Sequence, residues 1–285
     1  MSCYTFIARE RNTWPVVRMC RVLEVSVSGF YDWLKRPPSP RAQADEQLTR
    51  RIRAVHERSR QTYGYLRVHA QLRDEGVRAG KHRVARLMRQ AGLKPRCVKR
   101  RRVTTCPDTA QAAAPNVLAQ NFHAERPNQK WLVDITYIAT REGWLYVAAV
   151  LDVFSRRIVG WSMSHRLDRS LPAAALQMAI QQRGLPELHH SDRGTQYTSG
   201  DYLQLLKNVT LSMSHTGNCY DNAMHESFWG TLKTECADRT FDSRAAARLA
   251  VFDYIECWYN RQRLHSALGY RTPVAFEQAF ITSTT

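Results

Sequence analysis

The sequence holds no long apolar run. The longest, Trp144 to Leu151, falls far short of the roughly 20 residues that span a bilayer as a helix. Residues 1–20 contain no apolar stretch of the kind that directs secretion. These two absences point to a cytoplasmic chain with no membrane partner. Cysteine is equally uninformative as a scaffold. Cys3, Cys20, Cys97, Cys106, Cys219, Cys236 and Cys257 make an odd set without a C-x-x-C pair, which speaks against both a disulfide framework and a zinc site.

Acidic residues are the other scarce class, 25 against 42 Lys and Arg, a formal charge of +17. Their distribution is polarised. Residues 1–120 carry 25 Lys and Arg against 9 Asp and Glu, whereas residues 121–285 carry 17 against 16. A basic surface can serve solubility alone, but an excess confined to one end of the chain more often attracts a polyanion. Nucleic acid is the expected partner, and the 285-residue length allows two domains.

The N-terminal part reads as helices and turns. Trp14–Leu23 and Val27–Lys35 flank a break at which Ser26 can cap the second helix, and Pro37-Pro38-Ser39-Pro40 ends that unit. Tyr65–Glu75, with Leu66, His69 and Leu72 on one face, then Gly76–Gly80 and Lys81–Gln90, has helix-turn-helix spacing. In the last of these Val84, Leu87 and Met88 turn inward while Arg83, Arg86 and Arg89 step along the outer side, as a groove-facing helix requires. An ordinary amphipathic helix with a solvated arginine face gives the same pattern. Lys99, Arg100, Arg101 and Arg102 form a further candidate DNA contact and lead into an Ala-, Thr- and Pro-rich linker. The expected organisation is a basic helical region at 1–98 with its second unit at about 50–96, a linker at 99–120, and a catalytic domain at 121–285.

Beyond the linker the period changes. Lys130–Thr140, Trp144–Phe154 and Arg157–Ser164 predict three adjacent antiparallel strands joined at Glu142-Gly143 and Ser155-Arg156. A helix at Ser170–Arg183, a strand at Glu187–Ser191, a helix at Ser199–Asn208, a strand at Leu211–Ser214 and long helices at Asn222–Cys236 and Ser243–Arg263 come next. The fold class is α/β with a mixed sheet, preceded by an all-α helix-turn-helix region.

Within this pattern Asp134 interrupts the apolar strand W-L-V-D-I-T-Y, where an unpaired charge is costly unless a cation attends it. Asp192 follows a strand in H-S-D-R-G, at the strand end where α/β sheets gather ligands, although a turn-capping Asp reads the same way. Glu226 lies early in a helix that Asp221 is placed to cap, opposite a buried face of Met224, Phe228 and Leu232. Asn222 and Lys233 share its side, where they could meet a phosphate backbone or simply form a solvated stripe. Asp152 on the neighbouring strand competes with Asp134. His189 and His190 are adjacent on a strand and point to opposite faces, which disfavours a zinc hydrolase.

These residues carry a resemblance. W-L-V-D-I-T-Y at 131–137, H-S-D-R-G-T-Q-Y-T-S at 190–199 and G-N-C-Y-D-N-A-M-H-E-S-F-W-G-T-L-K-T-E at 217–235 resemble the DDE catalytic core of OrfB-type transposases from two-reading-frame bacterial insertion sequences, the insertion sequence three family. Y-N-R-Q-R-L-H-S-A-L-G-Y-R-T-P at 259–273 and Y-G-Y-L-R-V-H-A-Q-L-R-D-E-G at 63–76 extend it over nearly the whole chain. The resemblance implies an RNase H-like integrase core with Asp134, Asp192 and Glu226 as catalytic and metal-binding triad, and it selects Asp134 over Asp152. It also assigns Lys233 as the family's cation two helical turns on. The 33 residues between Asp192 and Glu226 are slightly fewer than the family pattern.

The activity implied by the resemblance is Mg²⁺-dependent DNA cleavage at element ends and strand transfer to a target. Two ions are expected, with Mn²⁺ able to substitute. An OrfA-type partner is implied, in a frameshift fusion, as is a homo-oligomer on DNA near the nucleoid. A catalytically decayed DNA-binding regulator and an RNase H-like nuclease remain the alternatives.

Overall fold

The computed structural model describes residues 2–96, 114–214 and 219–284. Lys99, Arg100, Arg101, Arg102, Cys97, Cys106, most of the linker and Gly217-Asn218 lie outside the described residues. The chain forms two compact units, Met1–Ala54 and Val55–Thr285. No helix among the described residues is long and apolar enough to cross a membrane.

In the first unit, α1 (Cys3–Glu10), α2 (Val16–Val22) and α3 (Val27–Lys35) close around Ile7, Met19, Cys20 and Phe30. Ser2 and Ser26 cap α1 and α3, each hydroxyl accepting an N–H three residues on at 3.2 Å. The 19-residue helix α4 (Pro40–Arg58) starts at the last proline of the Pro-rich run. Periodicity anticipates neither α1 nor α4. The second of these is too polar to show an apolar stripe, and Pro40 starts a helix as readily as it ends one.

The second unit begins with α5 (Tyr65–Asp74) and α6 (Lys81–Gln90), the latter burying Val84, Leu87 and Met88 as expected. The inner face of α5 is corrected. Val68, Ala70 and Leu72 are buried while Leu66 is exposed, and the half-buried His69 ring donates to the Ala79 carbonyl at 3.0 Å.

A five-stranded sheet comes next, built from β1 (Lys130–Thr140), β2 (Gly143–Asp152), β3 (Ile158–Ser164), β4 (Leu188–Ser191) and β5 (Thr210–Met213) in the order β3-β2-β1-β4-β5. The first three strands are antiparallel, and β4 and β5 run parallel to β1. Gly143, at φ +101°, turns β1 into β2.

α7 (Ser170–Arg183) and α8 (Gly200–Leu205) cover one face, burying Trp131, Val133, Val150, Leu176 and Tyr202 in one cluster. Against the other lie α9 (Ala223–Glu235) and α10 (Arg244–Phe252). The helix expected to run unbroken to Arg263 changes its winding, becoming π-helical at Asp253–Tyr259. The wider turn brings Tyr254 and Trp258 onto one carboxylate, Glu235. Among the described residues, α11 (Pro273–Thr284) ends the chain.

Candidate active site

The parallel ladder of β1 and β4 sets the site. Leu132 pairs with His190; Asp134, two residues further along β1, shares the face of Leu132, and Asp192 lies just past the end of β4. Adjacent strands lie about 4.8 Å apart. α9 is seated on this same face. The buried His225 ring donates from Nε2 to the Leu132 carbonyl at 3.3 Å, and Trp229 Nε1–H donates to Asp134 Oδ2 at 3.0 Å. That second bond ties the helix carrying Glu226 to the strand carrying Asp134.

Asp134 is half-buried and Asp192 and Glu226 are exposed. Burial first, then the Asp192 charge, pushes the Asp134 carboxyl up to about 7, and Glu226 adds to the rise. Hydrogen bonds from the Ile135 N–H (2.8 Å) and Trp229 oppose it. Burial also raises Asp192, against the Gly194 N–H that reaches its Oδ1 at 2.9 Å, and it raises Glu226. A Cβ at position 194 would meet Asp192 Oδ1 at 2.9 Å and Gln196 Oε1 at 2.7 Å, so glycine permits the close approach. Three hard oxygen acids, each holding its proton more tightly than usual, suit a divalent cation such as Mg²⁺. Among the described residues no three His, Cys, Asp or Glu side chains converge closely enough to hold a metal by themselves. Mg²⁺ commonly takes only one or two carboxylates and completes its shell with water and substrate phosphate.

The remaining anticipated residues surround this trio unevenly. Lys233 is exposed with Nζ 4.9 Å above the Tyr137 ring. Asn222 is half-buried at the start of α9, its buried Oδ1 without a partner among the described residues. Asp221 does not cap the helix. A preceding 3₁₀ turn rotates it inward, where it accepts from Asn116 Nδ2 (2.9 Å) and Gln120 Nε2 (3.2 Å). Arg89 on α6 is exposed, whereas Arg83 and Arg86 are half-buried, Arg86 donating to Gln90 Oε1.

Asp152 is fully buried and accepts from the Asn128 N–H (2.7 Å) and the Ser155 N–H (3.1 Å). It pairs with Trp131, an odd number of residues from Asp134 and therefore on the other face. Its role is to close the β2–β3 turn. His189 bonds Tyr202 (2.9 Å) while His190 bonds Ser212 (2.9 Å) and Ser214 (3.1 Å), and burial pushes the two rings down to about 3 and about 4. Both are neutral residues of the packed interior on opposite faces of β4.

Three contributions escaped the sequence. Trp229 stands three residues after Glu226, a helical spacing, but nothing in the sequence marks it as a partner of Asp134. The buried pair Glu235–Arg263 (2.9 Å) anchors the end of α9, its carboxylate also accepting from Tyr254 Oη (3.1 Å) and Trp258 Nε1 (3.0 Å). The buried Tyr197, its hydroxyl unpartnered among the described residues, is raised by burial and by the charges of Asp192 and Asp134.

Comparison with known proteins gives the same outline. Integrase core domain models match residues 124–219 and 207–273, and an HTH-like domain model matches residues 43–102. The chain is 42% identical over 281 residues to the transposase InsF of insertion sequence IS3A from Escherichia coli strain K12, covering 96% of this chain and 98% of that one. It is 43% identical over 267 residues to an uncharacterized 31 kDa protein of insertion element IS600 from Shigella sonnei, covering 92% and 98%. Among solved structures, the HTLV-2 integrase catalytic core domain in complex with magnesium aligns with 54% of this chain and 99% of its own at 16% identity and a TM-score of 0.42.

Proposed function

The chain belongs to the transposases of IS3-type insertion sequences, and from that premise we propose that it cleaves DNA at the ends of its element and joins them to a target, with Asp134, Asp192 and Glu226 as the acids of the reaction. The observation that carries this reading is the meeting of two strands and a helix. β1 carries Asp134 beneath α9 and the end of β4 leads into Asp192, close enough that the charges of Asp192 and Glu226 both raise Asp134.

Mg²⁺ held there by the three carboxylates, as two ions or with Mn²⁺ in its place, would supply the charge that activates an attacking hydroxyl and stabilises the leaving oxygen. The chain's own residues set the stage. Trp229 and the Ile135 N–H fix one oxygen each of Asp134, the Gly194 N–H orients Asp192, and Glu226 faces outward toward the strand to be cut. Lys233, held against Tyr137, and Asn222 receive the backbone phosphates of that strand. Arg83, Arg86 and Arg89 of α6, together with Lys99, Arg100, Arg101 and Arg102, hold the duplex. The basic region at 1–98 and the linker at 99–120 serve binding, and the residues from 121 onward serve chemistry. An OrfA-type partner, fused by frameshifting, supplies terminal-repeat recognition, and a homo-oligomer pairs the two ends in the cytoplasm.

The test is Mg²⁺-dependent cleavage and joining of a labelled element-end duplex by the OrfA-fused protein, wild type against Glu226→Ala. Loss confined to the variant supports the triad. Cleavage without joined products assigns a nuclease, and metal-independent binding with no cleavage in either protein assigns a regulator.

A further inference from the structure

Beside α9, on residues not used by the chemistry above, lies a cavity of about 100 Å³, room for several water-sized groups. Its polar lining comes from four separate stretches: Arg67 of α5, Arg156 of the β2–β3 turn, Arg263 and His265 beyond the π-helix, and Ser227 and Thr231 of α9. Three guanidinium groups around so small a volume are an electrostatic liability unless something negative joins them.

Among the described residues, only Arg263 of the three has a carboxylate partner. Arg263 is locked onto Glu235. Arg67 and Arg156 are half-buried and meet no carboxylate among the described residues. Arg67 is pushed below its ordinary value by burial and by the Arg263 charge. His265 lines the same cavity, 7% exposed, with Nε2 buried and lacking a hydrogen-bond partner among the described residues. Burial and then the charges of Arg263, Arg67 and Arg156 hold its ring neutral, down to about 2. An orphaned buried ring nitrogen is rare unless a ligand completes it.

We propose that this cavity is an oxyanion site that takes one phosphate group, with Arg67 and Arg156 as its charged clamp and His265 Nε2 as a neutral donor. Guanidinium forks match phosphate oxygens in geometry as well as charge. The net positive lining rejects cations, and the volume admits a single phosphate rather than a nucleotide. The phosphate has two sources, a phosphodiester of a bound DNA strand or free inorganic phosphate. Ser227 directly follows Glu226, so a strand engaging that acid runs past the cavity mouth. The affinity for phosphate stands without the function proposed above; only the DNA source rests on it.

The experiment uses the whole chain, with inorganic phosphate titrated at fixed ionic strength against chloride, for wild type, Arg67→Gln and Arg156→Gln. Without phosphate, Arg67→Gln should melt no lower than wild type, since it relieves repulsion from Arg263, and circular dichroism verifies that both variants fold. With phosphate tenfold above its Kd, the wild-type Tm should rise saturably by about 3 °C or more, and the variants should lose the rise. Absence of a saturable rise in wild type, or a rise retained in both variants, overturns the site. The slope of log DNA affinity against log salt then separates the sources. A fall of about 0.9 per variant assigns a DNA phosphodiester, and an unchanged slope assigns free phosphate. Failure of element-end cleavage would bear on the function alone, since the phosphate titration involves neither DNA nor Mg²⁺.

Discussion

Replacing Asp134 by Asn should stabilise the metal-free protein at alkaline pH while abolishing its chemistry. An unfolded Asp titrates near about 3.9, whereas in the fold Asp134 is pushed up to about 7. The folded state therefore binds more protons than the unfolded state between those values, and stability falls as pH rises through that window. A shift of about three pH units corresponds to roughly 4 kcal/mol once the pH is well above 7. Coupling to Asp192 and residual solvent access reduce the expected value to about 2–4 kcal/mol, or roughly 5–15 °C in Tm for a unit of this size. Asn keeps an oxygen for Trp229 Nε1–H and carries no charge. Thermal melts from pH 5 to pH 8 without divalent cations should thus show a falling Tm for wild type and a nearly flat one for Asp134→Asn. Mg²⁺ should raise the wild-type curve at high pH and leave the variant unmoved. Parallel pH curves for the two proteins would refute the reasoning, because they would mean that Asp134 carries no excess proton in the fold.

Glu226→Gln should lower cleavage by about a thousandfold, a loss of roughly 4 kcal/mol of transition-state stabilisation, with duplex affinity in a filter-binding assay unchanged within a few fold. Alanine at Arg83, Arg86 or Arg89 should act the other way round, weakening duplex binding and reducing the salt slope by about 0.9 for each phosphate no longer neutralised. Asp152→Ala strands two buried N–H donors, which should cost about 2–4 kcal/mol in chemical denaturation while cleavage per folded molecule persists. Glu235→Ala leaves Arg263 buried without its partner and should cost about 3–5 kcal/mol, seen as a lowered urea midpoint.

Periodicity locates α3, α6, β1 and α7 to the residue, because each has strong apolar spacing and well-defined ends. It also picks out Asp134, since a carboxylate in an apolar strand stands out against its neighbours. Pairing lies beyond its reach. That Asp134 and Asp192 come together depends on the register Leu132 with His190, which no local pattern encodes. Resemblance rather than physics separates Asp134 from Asp152 in the sequence, and the ladder places the two on opposite faces of the sheet. Glu235 and Arg263 lie 28 residues apart, and their partnership requires the π-helical turn to bring Tyr254 and Trp258 alongside. Asp221 departs from its expected role because one 3₁₀ turn before α9 is enough to change a cap into a buried acceptor.

The unequal anchoring of the three acids has a consequence for the chain at rest. Asp134 is fixed in mid-strand, while the ladder stops at Ser191 and leaves Asp192 on a loop, and Glu226 stands on an exposed helix side. Mutual repulsion keeps such a trio from drawing together unaided once Asp134 has lost the proton that burial helps it retain. Under the proposed function a divalent cation supplies the positive charge that would gather the acids, and phosphates of a bound strand would complete its shell. On that reading, a chain without cation and nucleic acid would hold its acids apart and stay idle.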